Sequence, residues 1–170
     1  MPEAIKRYVR FIDAMNRVVG RLAMYLIFAI MGVLLFSSGS RTMFGMSHIW
    51  TVETAQFIMT AYYLLGGGYS MQLDAHVRMD LVYCRWSPRT QAAVDAITVF
   101  FLIFYLVVLI VGGISSTEYA LTYGQTNYSS WAPPLAPIKI IMTIGIVLML
   151  LQVTATFFKD LAKARGETLA

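Results

Sequence analysis

The stretch AITVFFLIFYLVVLIVGGISST, residues 96–117, decides the fold: from Ala96 to Thr117 no side chain carries a charge. As a helix rising about 1.5 Å per residue the run is roughly 33 Å long, close to the ~30 Å hydrocarbon core of a bilayer. In lipid no water is available to backbone N–H and C=O groups, so such a run must satisfy them internally, and a helix does that. Working outward, three similar uncharged runs appear, Leu22–Ser40, Thr54–Leu73 and Ile140–Phe158. The chain is 58% hydrophobic and 13% charged, and its charges bracket these runs rather than interrupt them. The pattern predicts a single all-α integral membrane domain with four transmembrane helices at about residues 22–40, 54–73, 96–117 and 140–158.

A fifth uncharged run, 119–138, fails on its chemistry. Gly124, Gln125, Asn127, Ser129, Ser130, Pro133, Pro134 and Pro137 break helices or need hydrogen-bond partners. It reads as an ordered external loop, with Trp131 and several tyrosines suited to the headgroup level. The first run reads as a span rather than a secretory signal, because a long charged segment precedes it, no Ala-x-Ala site follows its core, and it continues to Ser40. The lone cysteine, Cys84, has no partner for an internal disulfide.

Lys6, Arg7, Arg10, Arg17 and Arg21 precede the first run; Arg78, Arg85 and Arg89 lie between the second and third; Lys159, Lys163 and Arg165 follow the fourth. Only Arg41 and Lys139 fall on the other side. The positive-inside rule then predicts a cytoplasmic N-terminus, central loop and C-terminus, and the net charge of +4 is a topology signal, not a nucleic-acid footprint. Ile5, Tyr8, Val9, Ile12, Met15 and Val19 recur at helical spacing opposite Lys6, Arg7, Arg10, Asp13 and Arg17. This predicts an amphipathic helix at about residues 4–19 lying on the inner membrane surface. Pro88 after Ser87, and Pro137, suit the first turns of the third and fourth helices.

Little in the chain suggests catalysis. Gly66, Gly67 and Gly68 lie in an apolar run with no following Lys-Ser/Thr, so they permit close packing rather than cradle a phosphate. Gly66 with Ser70, Gly112 with Ser116 and Gly113 with Thr117 are small residues at the four-residue spacing that brings membrane helices together. A haem-bearing or haem-free respiratory anchor or assembly subunit is the main alternative, but the topology puts His48 and His76 on opposite membrane faces, where they cannot ligate one haem. No His, Cys and carboxylate cluster recurs at metal-ligand spacing, and the middle of every span lacks ionisable groups, which argues against solute transport by this chain alone. The expectation is a non-enzymatic chain without a cofactor of its own.

The segment from Gly66 through Asp74, His76, Arg78 and Asp80 to Leu81 resembles the small membrane subunit of tripartite ATP-independent periplasmic (TRAP) transporters. Arg41, Trp50 and Glu53, then Ser87-Pro88-Arg89, then Trp131, Pro133, Pro134, Pro137 and Lys139 follow in that family's order, so the resemblance covers nearly the whole chain. Tyr83 to Arg89 and the Trp131–Lys139 series look most like the mannitol or chloroaromatic-compound branch. The resemblance implies a bacterial inner-membrane complex in which a periplasmic solute-binding protein delivers an organic acid or related solute to this subunit and a large one. The large subunit would carry the moving domain and the sodium sites, and the small one would enlarge the fixed scaffold, with phospholipid as a further bound component. It also implies that His76, Arg78 and Asp80 form a cytoplasmic joint against the large subunit or a solvated turn. Trp131 and its prolines would receive the binding protein or seat the loop on the membrane.

The rims carry one more pattern. The outer ends of helices one to four hold Arg41, Glu53, Glu118 and Lys139, and the inner ends Arg21, Asp74, Asp95 and Lys159, plus-minus-minus-plus in both cases. Neighbouring antiparallel helices are then expected to pair opposite charges, one with two and three with four.

Overall fold

The computed structural model describes residues 3–73 and 88–164. Its elements are four helices, α1 (Glu3–Phe44), α2 (Ile49–Gln72), α3 (Pro88–Thr122) and α4 (Ala136–Ala164). Asp74, His76, Arg78, Asp80 and Cys84 lie outside the described residues, and so does Ser87, the expected cap of α3.

The stretch read as an interfacial helix is the first part of α1, which runs without a break for 42 residues, roughly 63 Å. Its apolar stripe has a protein partner: Val9 and Ile12 are buried with Ala155 of α4, and Ile5, Tyr8, Met15, Leu151 and Phe158 pack around them. Val9, Ile12, Asn16, Gly20 and Ala23 are the buried residues of α1, spaced three and four apart as a single helical face. α1 ends at Gly45, whose φ of 64° is the left-handed conformation glycine tolerates, with its N–H bonded to the Arg41 carbonyl at 3.2 Å.

α1, the Ile97–Thr122 part of α3 and the Ala136–Lys159 part of α4 are long and apolar enough to cross a membrane. At 24 residues α2 has the length, but it is not among the described helices apolar enough to do so. Thr51, Glu53, Thr54, Gln56, Thr60, Tyr62, Tyr63, Tyr69, Ser70 and Gln72, with its three glycines, dilute the run.

Consecutive helices pack as expected, α1 on α2 and α3 on α4, but α4 is the hub: it also packs along α2 and against the N-terminal part of α1. Small residues set these contacts, as they must where lipid competes equally for apolar surface. A Cβ on Gly20 would overlap Tyr69 of α2, and one on Gly145 of α4 would fall 2.9 Å from the backbone of Leu64. Gly113, one of the small pairs, sits beside Thr143, and the Thr117 and Thr143 hydroxyls are 3.2 Å apart across the α3–α4 contact. Leu106, Ile146 and Val153 form the second core, with α2 contributing Leu64 and Met71.

The segment between α3 and α4 is a loop, although α3 continues to Thr122 before it begins. Thr126 and Pro134 form an antiparallel bridge, Asn127 N–H donates to the Pro133 carbonyl at 3.0 Å, and Leu135 N–H to the Gln125 carbonyl at 2.9 Å. Pro137 stands in the first turn of α4.

Candidate functional site

Two features stand out in this bundle, a buried polar chain and an open groove. The first is a chain of hydrogen bonds between the N-terminal part of α1 and the C-terminal part of α4. Lys159 Nζ of α4 pairs with Asp13 Oδ2 of α1 at 2.6 Å. Gln152 Nε2 donates to Asp13 Oδ1 at 3.1 Å, and Asn16 Nδ2 donates to Gln152 Oε1 at 2.8 Å. Gln72, the last residue of α2, donates to the Asp13 backbone carbonyl at 3.3 Å. Asn16 is 1% and Gln152 0% exposed, so removing either partner strands a buried polar group, at about 1–3 kcal/mol. One turn nearer the N-terminus, the Tyr8 and Thr154 hydroxyls lie 2.9 Å apart. Three helices are thus fastened by side chains, and α2 takes part through its last turn.

Gly68 explains part of the triple-glycine run. A Cβ there would stand 2.7 Å from Asn16 Oδ1, so the glycine admits the amide between helices. At Gly67 a Cβ would meet the flexible Met149 side chain at 2.8 Å, whereas at Gly66 it would meet nothing within 4 Å. Gly66 instead lines the second feature, an open groove of about 550 Å³ whose floor is α2 (Tyr62, Tyr63, Gly66, Ser70) and whose walls include Ala23 of α1 and Met149 of α4.

At the outer end the expected rim partners are not brought together. Arg41 is exposed, while Glu53 is only 7% exposed and its Oε2 has no hydrogen-bond partner among the described residues. Lys139 turns away from Glu118: its Nζ donates to Gln125 Oε1 at 2.7 Å and to the Ser116 carbonyl at 3.3 Å, tying the loop to the end of α3. Of the residues expected at the inner rim, Lys159 pairs with Asp13, a residue read from the sequence as part of the charged arc of an amphipathic helix. Arg21 is exposed, and for Asp95 only its place in α3 is described.

His48 Nε2 lies 3.1 Å from Ser40 Oγ, and its ring stacks on Phe36 with Trp50 alongside. These contacts, with the Ser37–Thr51 hydroxyl pair at 3.0 Å, close the short turn between α1 and α2. Trp131 is 47% exposed on the loop. Among the described residues no three His, Cys, Asp or Glu side chains come together as a metal site.

Long apolar helices fastened to one another through buried amides and small residues define a multi-pass membrane protein. The family model described as "Tripartite ATP-independent periplasmic transporters, DctQ component" matches residues 30–163, and the chain belongs to that family. The family is a transporter component rather than an enzyme, and membership implies association with a large membrane subunit and a periplasmic binding protein. No curated protein matches the chain. The matched residues begin within α1, so the fastening of Asp13 and Asn16 to α4 involves residues upstream of the match.

Proposed function

We propose that this chain is the fixed scaffold subunit of a TRAP secondary transporter in a bacterial inner membrane, supporting a large elevator-type subunit during sodium-coupled uptake of an organic acid or related solute. The observation that carries this reading is the family match over residues 30–163. In this reading α2 is the remaining span of a four-span topology with both termini cytoplasmic, following the distribution of Lys and Arg. Sodium and the moving domain belong to the large subunit, and solute choice to the periplasmic binding protein. The mannitol or chloroaromatic branch is assigned on Tyr83 to Arg89 and the Trp131–Lys139 series. A scaffold must resist the movement of its partner, and side-chain bonds joining α1, α2 and α4 suit that task.

The test is reconstitution of the large subunit and binding protein in vesicles under a sodium gradient, with and without this chain. Uptake is expected to require it and to proceed without ATP. Full-rate uptake by the large subunit without this chain overturns the scaffold reading.

A further inference from the structure

The bare face of α2 differs from the apolar sector of α3 that carries Phe100, Phe104, Val107, Val111 and Ile114. Between the side packed on α1, which holds Thr51, Ala55 and Tyr69, and the side packed on α4, which holds Leu64 and Gly68, runs a seam of Ile49, Val52, Gln56, Met59, Tyr63, Gly66, Ser70 and Leu73. The spacing alternates three and four residues along the whole helix, the heptad rhythm of a left-handed helix pair. Ile49, Val52, Met59, Tyr63 and Leu73 are each about half exposed or more.

Two polar groups on the seam lack partners. The Gln56 side chain is exposed, and neither its amide nor the Tyr63 hydroxyl has a hydrogen-bond partner among the described residues. Tyr63 lies near the middle of the helix, too deep for a tyrosine to reach the headgroups. Groups of this kind facing hydrocarbon are costly, and acyl chains cannot satisfy them. Gly66 presents open space at the floor of the groove, where another backbone can approach. A soluble binding protein meets only the outer end of α2, whereas the seam extends from Ile49 to Leu73.

We propose that the groove floored by α2 receives a transmembrane helix of the large membrane subunit, which packs closely over Gly66 and supplies hydrogen-bonding groups to Gln56 and Tyr63. This rests on the scaffold reading above and adds the face through which the scaffold is joined. Lipid acyl chains or a second copy of this chain in the groove are the competing outcomes.

The experiment uses the assembled membrane complex. A photo-reactive phenylalanine analogue at Gln56 or Tyr63 is expected to give adducts with the large subunit, and the same analogue at Phe104 or Val111 of α3 is expected to give none. Gly66→Leu is expected to lower co-purification of the large subunit by about tenfold with little change in the melting of the isolated chain, since a Cβ added there meets nothing within 4 Å and the groove leaves room beyond it. Gly112→Leu, equally open on α3, is expected to leave co-purification unchanged. If the large subunit co-purifies with the unaltered chain but cross-links from α3, or if Gly112→Leu and not Gly66→Leu blocks it, the assignment of the face is overturned and the scaffold reading stands. Adducts from Gln56 and Tyr63 containing only lipid or a second copy overturn it in the same way. Failure of the unaltered chain to co-purify with any large membrane subunit overturns both.

Discussion

α2 and α3 make opposite use of their uncovered surfaces. α3 packs principally on α4, and one broad sector of its bare surface carries Phe100, Phe104, Val107, Val111 and Ile114, all substantially exposed. α2 is held between α1 and α4, yet its bare seam carries Gln56 and Tyr63. A helix surface with no protein against it is best solvated by lipid where it is apolar. A helix flanked on both sides tolerates polar groups, but those left facing outward need another protein. This sector of α3 is wholly apolar, although Tyr105 is exposed elsewhere on the helix, whereas the seam of α2 carries an amide and a phenol.

The largest test of this contrast is Gly145→Leu. Its added side chain would begin 2.9 Å from the Leu64 backbone, which cannot move aside without separating α2 from α4. A loss of about 3 kcal/mol is expected, seen as lowered melting in detergent and reduced yield; near-normal melting would show that α2 is not clamped. An intermediate effect is expected at the glycine beneath the buried amide. Gly68→Ala places a methyl 2.7 Å from Asn16 Oδ1, and Asn16→Ala leaves Gln152 Oε1 without its donor, each at about 1–3 kcal/mol. In the double variant the steric conflict disappears, so the two effects should sum to less than their separate values by about 1 kcal/mol. Strict additivity would mean that glycine and amide do not share that space. The smallest effect is expected on α3, where Phe104→Leu and Val111→Ala should change stability by about 0.5 kcal/mol or less and leave association with the large subunit intact. A clear loss of association at these positions would erase the distinction between the two helices.

The apolar runs and the polar loop were legible because length and hydrophobicity act locally: four runs became four helices, and the proline-rich segment became a bridged loop. Fastening inside the bundle was not, because it depends on which faces meet. Asp13 follows the charged arc of α1 by periodicity and gives no sign that Lys159 and Gln152 will reach it from more than a hundred residues away. A local signal did exist, since Asn16 breaks the run of apolar residues on its own face and Gln152 is the one amide side chain of α4. The rim pattern misled for the related reason that charge order along a chain does not state how side chains turn. Lys139 reaches Gln125 in its own loop, and Glu53 is drawn inward.

The bond from Asn16 to Gln152 spans 136 positions of sequence. At roughly 5–20 residues per second, a ribosome makes its second half about 7–27 seconds after its first. During that interval α1 and α2 can enter the membrane and find each other, but the polar teeth of α1 have nothing to close on until the last helix emerges. A chain stopped short of α4 therefore carries Asp13 and Asn16 without the side chains that close on them, so this fastening can form only once the final helix is made.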